Sequence, residues 1–536
     1  MTDTSHLASA EGVPQQVASL RSILEGALPE AEIAPVLQSV GVPGDGGPVN
    51  GVTSDSRRVA PGDIFVVVRG TTEDGAAYAA DAVARGAIAI VAHHDAALPE
   101  LSVPVIRTAD ERGALARLAA GVHGHPSRDL LIVGITGTNG KTTTAHLIAA
   151  ILGSDEVRMA SAPPVAAPIG PCAVLGTIAY TWPGVVRPAP NTTPGADELQ
   201  ALLAEARDAG CQSAAIEVSS HALDQRRTEG VRFAGAVFTN LSGDHLDYHG
   251  SMDEYAAAKA RLFRDLAPEA VVAINAEDPY AATMTRECPG RVIRYGLDAP
   301  SVPQVTARNL HLTAEGVHFT LVTPGGEADV HSALLGRYNV LNLLAAAAVT
   351  HGLGVATEAV ARGLSSVRGV RGRLESVEAG QPFTILVDYA HTDDAVVNVL
   401  RNLRNVVRGR LLTVVGCGGD RDRTKRPRMA RAAAELSDLA WFTSDNPRTE
   451  APQRIVDDML GGIYGARNVR VEIDRRAAIE AAIGVAQVGD CVAILGKGHE
   501  DYQVLGTQKV PFDDREAAAS AVVRLLRGER ARESTT

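Results

Sequence analysis

The stretch Leu130-Leu131-Ile132-Val133-Gly134-Ile135-Thr136-Gly137-Thr138-Asn139-Gly140-Lys141-Thr142-Thr143-Thr144 decides how the chain reads. Its apolar opening, Leu130–Ile135, predicts a strand buried on both faces, and Ala145–Leu152 beyond it predicts a helix. Strand, glycine turn and helix N-terminus in that order gather backbone N–H groups around phosphate oxygens. In such a loop Lys141 reaches the β- and γ-phosphates and the Thr142 hydroxyl ligates Mg2+. The spacing departs from G-x-x-x-x-G-K-S/T, because Ile135 holds the first position. What remains predicts a nucleoside triphosphate site without saying what the triphosphate is used for, since switches and motors share the loop.

Working outward, the first 50 residues form a weakly patterned, partly mobile lead with one amphipathic candidate near Gln16–Leu28 and a Gly/Pro-rich stretch at Gly41–Pro48. Runs at Ile64–Val68, Ile88–Ala92 and Val103–Ile106 alternate with helices at Tyr78–Arg85 and Glu111–Val122, which predicts a small α/β unit ending near residue 129. Strands at Ala214–Val218, Gly235–Asn240 and Ala270–Asn275 continue the block that the phosphate loop opens. The Gly/Arg-rich segment Val367–Glu375 reads as a hinge. Beyond it, strands at Thr384–Asp388, Leu411–Gly416, Leu439–Ser444 and Cys491–Leu495 predict another parallel sheet, and the last ten residues a frayed tail. The expected domains are 1–129, 130–367 and 368–536, all α/β.

The length of 536 residues suits this division at roughly 100–200 residues per domain. A formal net charge of −12 and the lack of long basic runs argue against nucleic acid as a partner. The five cysteines are widely spaced and form no CxxC pair, so they are expected as reduced, mostly buried thiols. The opening MTDTSHLASAEG has neither a basic n-region nor an apolar h-region, and no apolar run reaches about 18 residues. A cytoplasmic monomer that neither enters a membrane nor binds nucleic acid is expected.

Further motifs fall in one order: Asn191-Thr192-Thr193-Pro194, Glu217-Val218-Ser219-Ser220-His221, NLSGDHLDYH at 240–249, and a helix Asp253–Phe263 carrying Lys259. With GTNGKTT they closely resemble the central domain of the Mur ligases. Asp388-Tyr389-Ala390-His391, GCGGDRD at 416–422, DNPR at 445–448 and GKGHEDYQ at 496–503 resemble the diaminopimelate-adding branch of that family, and the likeness runs from about Gly51 to Arg515.

The resemblance implies an N-terminal domain for the uridine nucleotide, a central ATPase and a C-terminal Rossmann-like domain. It implies ATP-dependent addition of meso-2,6-diaminopimelate to the D-Glu carboxylate of UDP-N-acetylmuramoyl-L-Ala-D-Glu through an acyl phosphate. Gly137, Thr138, Asn139, Gly140, Lys141, Thr142, Thr143, Asn275, Arg373 and Asp388 would hold ATP. Thr142 and Glu217 would hold one Mg2+, and His245 with Lys259 a second. A lysine is cationic and ligates no Mg2+, so Lys259 would act as its CO2-derived carbamate; without the resemblance it reads as a solvated lysine. Lys141, Glu217, His245 and Lys259 are thus the catalytic set, whereas His249 satisfies a core hydrogen bond.

The muramoyl nucleotide would lie on Ser56, Thr71, Thr72, Asn191, Thr192, Thr193, Ser219, Gln225 and Arg227. Diaminopimelate carries a second carboxylate and ammonium, which call for a guanidinium and a carboxylate in the pocket. Arg448, within Asp445-Asn446-Pro447-Arg448, would take the distal carboxylate with Arg421 and Asn446; Glu500 and the Gly496 carbonyl would take the distal ammonium. Read alone, Asp-Asn-Pro-Arg is a surface turn. Two positions depart from the family pattern: Asp393 stands where Pro is usual, and Thr71-Thr72 where His-Gln is usual. The alternatives are a lysine-adding Mur ligase, a folylpolyglutamate synthetase-like ligase and, from another class, a regulatory P-loop NTPase.

Overall fold

Short apolar runs alternating with Ala-rich helices build parallel sheets with helices on their faces, so the protein is α/β. The computed structural model describes residues 18–39, 47–70, 74–154, 170–313, 315–463 and 465–533. They divide into two compact units, the first formed by Met1–Asp129 with Gly195–Glu205 and Gln225–Val231, the second by the rest.

In the first unit, parallel strands Gly51–Thr53, Asp63–Val67, Ala89–His93 and Val105–Thr108 lie in chain order. In the described part of the lead the amphipathic candidate near Gln16–Leu28 is a helix, and a second helix, Glu30–Ser39, follows where the sequence shows no clear pattern. Helix Leu20–Ala27, capped by Ser19, buries Leu20, Ile23, Leu24 and Ala27 in the core of this unit. Gly195–Glu205 and Gln225–Val231, which sequence order puts in the middle block, pack here because Thr53 Oγ1 donates to Asp197 and Arg117 pairs with Glu229.

The second unit contains an eight-stranded sheet in which Arg291–Tyr295, Val271–Asn275, Gly235–Phe238, Leu131–Thr136, Ser213–Glu217 and Cys172–Leu175 run parallel. Two antiparallel strands, Ala179–Trp182 and Val185–Pro188, extend its edge. Helix Arg337–Gly352, buried along Leu343–Thr350, packs on one face with helix Lys141–Leu152. A six-stranded sheet follows, ordered Glu375–Ser376, Thr384–Asp388, Cys491–Leu495, Leu411–Cys417, Leu439–Ser444, Val469–Val471, parallel except for the first. In such sheets ligands bind beyond the carboxyl ends of the strands.

Other features differ from the expected pattern. Thr306–Leu312, Val317–Thr323 and Gly326–Ser332 form an antiparallel sheet whose polar, alternating strands lack the continuous apolar runs of buried parallel strands. The terminal helix runs from Asp514 to Glu533, through most of the expected tail. Residues 1–17, 40–46 and 534–536, parts of the expected lead and tail, lie outside the described residues.

Candidate active site

Strand Leu131–Thr136 delivers the chain to Gly137, and the next helix begins at Lys141 rather than Ala145. Its N-cap is Gly140, with φ +86° and no capping side chain. A Cβ at this position would strike Asn342 Oδ1, so both backbone and space call for glycine. The uncapped first turn carries partial positive charge toward the loop. Lys141 Nζ folds back onto the carbonyls of Gly137 and Thr138, each at 2.9 Å. Burial lowers its pKa, opposed by the charge of Glu217. Asn139 N donates to Asn240 Oδ1 at 2.9 Å, while Thr143 is buried in the helix.

Glu217 ends the neighbouring strand, fully buried but amply bonded. Its Oε2 accepts from Thr142 Oγ1 and Thr177 Oγ1, both at 3.0 Å, and its Oε1 accepts from Thr177 N at 2.8 Å. Around it, Thr192 Oγ1 meets Thr177 Oγ1 at 3.1 Å, Thr193 Oγ1 donates to Glu217 O at 2.8 Å, and Ser219 N donates to Thr193 Oγ1 at 3.0 Å. Asn191 accepts from Tyr180 OH through its carbonyl. Thr177 is absent from the sequence-derived set: an uncharged residue after Leu175-Gly176 carries no chemical signal until the sheet sets it beside Glu217.

Lys259 is 1% exposed, not the solvated residue its Ala-rich helix suggests. Its Nζ donates to Gly137 O at 3.0 Å and lies 4.6 Å from the Tyr255 ring centroid. Burial, reinforced by the charge of Lys141, drives its pKa well down and favours the neutral amine. His245 adopts φ +55° and places Nε2 3.5 Å from Asp244 Oδ2. Burial outweighs that carboxylate and takes its pKa down to about 4, so the ring is neutral near pH 7. His249 makes the core hydrogen bond expected of it, Nε2 to Ser220 Oγ at 2.9 Å. Among the described residues no three His, Cys, Asp or Glu side chains converge as a metal cluster. Of the expected pairs, Thr142 with Glu217 supplies two adjacent oxygens, which suits Mg2+, an ion that keeps water and phosphate oxygens as further ligands; in the second pair only the His245 ring can donate, since Lys259 is an unmodified lysine here.

A cleft of about 360 Å³ opens beside the loop, lined by Asn139, Thr142, Asn275, Tyr338, Arg373 and Asp388 among others. Arg373 Nη2 donates to Thr142 Oγ1 at 2.9 Å, and its guanidinium carbon lies 5.0 Å from the Tyr389 ring centroid. Asn275 Nδ2 is spent on Thr239 O at 2.7 Å. Asp388 accepts from Leu374 N and Ala390 N, each at 2.8 Å, so its carboxylate pins the end of the Val367–Glu375 segment; burial raises its pKa. Asp394 also belongs here, accepting from Ser242 Oγ at 2.8 Å and Asn139 Nδ2 at 3.3 Å.

The other expected cluster sits at the carboxyl ends of the adjacent strands Leu411–Cys417, Cys491–Leu495 and Leu439–Ser444. Arg448, at φ +51°, donates through Nη1 to Gly419 O at 2.8 Å, and its backbone bridges to Leu505 of the hairpin Tyr502–Leu505/Gln508–Pro511. Arg421 is exposed nearby: a Cβ on Gly418 would meet Arg448 Nη1 at 3.0 Å and Arg421 Cγ at 3.8 Å. Asn446 Nδ2 donates to Glu500 Oε2 at 2.7 Å, and Gly496 packs close to the Asp445 carboxylate. Pro447 is buried in the turn between them. Beneath lies the fully buried pair Arg475–Asp514, at 2.7 Å, with Arg475 also donating to the carbonyls of Ser444 and Leu495. It ties down the residues immediately before Asp445 and Gly496.

The expected nucleotide-precursor residues are divided between the units. Ser56 is buried in a one-turn helix capped by Asp55, and Arg227 donates to Gln225 Oε1 at 2.8 Å, all in the first unit. Asn191, Thr192, Thr193 and Ser219 belong to the second. Thr71 and Thr72 lie outside the described residues.

The five cysteines are free, with Cys211, Cys417 and Cys491 buried. Among the described residues no helix is long and apolar enough to cross a membrane.

Residues 48–126 match the model of the Mur ligase family catalytic domain, 135–350 that of the Mur ligase middle domain, and 372–498 that of the Mur ligase glutamate ligase domain. The chain is 47% identical over 475 residues to the UDP-N-acetylmuramoyl-L-alanyl-D-glutamate–2,6-diaminopimelate ligase of Gloeobacter violaceus, covering 88% of this chain and 94% of that one. It is 44% identical over 513 residues to the ligase of the same name from Geobacter sulfurreducens, covering 91% and 98%. A solved structure of a ligase with that name superimposes with a TM-score of 0.65 at 34% identity, over 93% of this chain and 99% of the other. The MurF ligase of Thermotoga maritima in complex with ADP shares the fold, with a TM-score of 0.59 at 17% identity over 90% of this chain and 99% of that one.

Proposed function

The chain belongs to the Mur ligase family, and from that footing we infer that it is an ATP-dependent ligase joining meso-2,6-diaminopimelate to the D-Glu carboxylate of UDP-N-acetylmuramoyl-L-Ala-D-Glu. The reaction serves peptidoglycan precursor synthesis. The observation that carries this reading is the Arg373–Thr142 hydrogen bond. It brings the phosphate loop beside Arg373, whose guanidinium lies over the Tyr389 ring, and that ring lies beside His499, the residue before Glu500.

The carboxylate oxygen attacks the γ-phosphorus of ATP, the bond to the bridging oxygen breaks, and ADP leaves. The amine of diaminopimelate then attacks the acyl carbon, phosphate departs with the C–O electron pair, and the nitrogen's surplus proton passes to solvent as the amide forms. The first step crowds several negative charges together, so cations must be in place beforehand. Lys141 and Arg373 supply two of them, and the uncapped helix start supplies oriented N–H groups. Thr142 and Glu217 offer adjacent oxygens for one Mg2+, and His245 with carbamylated Lys259 would hold the second. Bound Mg2+ neutralises phosphate charge. Lys259 fits carbamylation because the neutral amine is the form that attacks CO2, and burial with the charge of Lys141 favours that form over the opposing pull of Asp244. Asn275 and Asp388 border the cleft for the adenosine. To the muramoyl dipeptide nucleotide we assign Ser56, Gln225 and Arg227 of the first unit and, in the second unit taken by itself, Asn191, Thr192, Thr193 and Ser219.

For the amino acid, Arg448 with Arg421 and Asn446 clamps the distal carboxylate, while Glu500 and the Gly496 carbonyl receive the distal ammonium. The substrates are small molecules made in the cytoplasm, where a chain with five free cysteines is at home and works as a monomer. The deciding experiment incubates the protein with ATP, Mg2+, the dipeptide nucleotide and either diaminopimelate or lysine, and weighs the product. A tripeptide nucleotide is expected with diaminopimelate only; product with lysine instead, or phosphate release needing neither substrate, overturns the reading.

A further inference from the structure

Lys497 is fully buried, which is rare for a lysine, and bonds the tips of two side chains in the amino-acid pocket. Its Nζ donates to Asn446 Oδ1 at 3.3 Å, to Glu500 Oε2 at 3.2 Å and to the carbonyl of Tyr502. An ammonium only donates, so Asn446 must turn its oxygen toward Lys497. That oxygen also accepts from Val504 N at 2.9 Å, and the amide NH2 is left to donate to Glu500 Oε2 at 2.7 Å. The three side chains form a closed ring in which each orientation fixes the next. Glu500 Oε2 is filled by two donors, whereas Oε1 receives no hydrogen bond among the described residues.

Arg475, equally buried, is a useful contrast. It spends its guanidinium on Asp514 and on the carbonyls of Ser444 and Leu495, and so fixes the roots of the two loops. Lys497 instead fixes what the loops present.

We propose that Lys497 is a positioning residue that sets amino-acid selectivity, holding Asn446 and Glu500 so that Glu500 Oε1 faces the distal ammonium of a substrate with two amino-acid centres. This rests on the reading of the pocket given above. Lys497 touches no reacting atom. It acts by replacing water as the partner of a partly buried carboxylate and by removing the alternative amide orientation.

The test measures steady-state constants for all three substrates in wild type, Lys497→Met, Glu500→Gln and the double variant. Lys497→Met should raise the KM for diaminopimelate about tenfold or more, with the KM values for ATP and the dipeptide nucleotide within about twofold of wild type. The double variant should be scarcely worse than Glu500→Gln alone, because the two residues act as one unit. A purely structural lysine predicts equal losses for all three substrates and additive effects; either result overturns the proposal, as does an unchanged diaminopimelate KM. If Lys497→Met does not fold, Lys497→Arg, which keeps the charge but not the point-like ammonium, carries the same expectations. Wild type that makes no product from diaminopimelate sinks the functional reading itself; wild type that does, with a Lys497 variant of unaltered selectivity, sinks only this proposal.

Discussion

Arg373 Nη2 and Thr142 Oγ1 lie 2.9 Å apart, and Thr142 Oγ1 in turn donates to Glu217 Oε2 at 3.0 Å. One hydroxyl therefore sits between a cation from the segment leading into the six-stranded sheet and a buried carboxylate at the end of a strand in the eight-stranded sheet. If Arg373 neutralises the transferring phosphate, Arg373→Ala should lower kcat about 100-fold while the diaminopimelate KM moves little. Phosphate release measured against each substrate in turn checks this, and a variant with wild-type kcat removes Arg373 from the chemistry.

The backbone next to it is equally constrained. Gly372 has φ +66°, and a Cβ there would collide with the backbone of Gly498 and His499, at 2.5 Å from Gly498 C. Gly372→Ala combines left-handed strain with a clash against atoms that cannot rotate away, so a stability loss of about 2 kcal/mol or more is expected. Denaturant midpoints give the figure. A variant as stable as wild type means that this segment can move away from the GKGHED loop at little cost.

Arg448 is held in the left-handed region by backbone bonds to the neighbouring hairpin, N to Val504 O at 3.0 Å and O from Gly506 N at 2.8 Å. Strain of this kind in a non-glycine residue points to a site worth its cost. Arg448→Ala should raise the diaminopimelate KM strongly, by about 100-fold for a lost bidentate partner, and leave ATP and nucleotide binding near wild type. An unaltered amino-acid KM would falsify its assignment to the distal carboxylate.

How far these sites could be read in the sequence follows from what each residue's signal depends on. Buried parallel strands such as Thr384–Asp388 and Cys491–Leu495 announce themselves as unbroken apolar runs, and the observed limits coincide with the expected ones. The antiparallel strands Thr306–Leu312 and Gly326–Ser332 are half exposed and polar, so no such run exists to find. Lys141 and Thr142 stand in a motif whose local order is itself the geometry. Thr177 and Lys497 acquire meaning only when distant strands align, Thr177 against Glu217 and Lys497 against Asn446, 51 positions away. The burial of Lys259 is likewise a tertiary fact: its helix, read alone, gives a solvated lysine.

That burial is testable. With its pKa driven well down by burial and the charge of Lys141, Lys259 should be open to CO2, and intact-protein mass spectrometry in bicarbonate should find an increment of one CO2 that Lys259→Ala lacks. Lys259→Ala should also lose about 1000-fold in kcat, on the scale expected when a metal ligand is removed. Full activity in that variant would remove the carbamate from the mechanism.

His499 lies partly buried beside Arg373, Arg371 and Arg515; burial first, then these cations, take its pKa down to about 3, and its Nδ1 has no hydrogen-bond partner among the described residues. The unfolded chain binds a proton there at about pH 6.5, whereas the folded chain does not until near pH 3. The sign is therefore fixed: the neutral ring costs no stability above pH 6.5, and as pH falls below that value the unfolded state gains protons and the fold loses up to about 1.4 kcal/mol per pH unit from this group. His245, His249 and His391 are depressed in the same direction, so wild type should weaken steadily on acidification. His499→Gln cannot take up that proton. Its stability, followed by urea unfolding from pH 8 to pH 5, should fall less steeply than wild type below pH 6.5 and run parallel to it above. Parallel curves over the whole range would mean that the ring titrates alike in both states and that the three arginines do not hold it neutral.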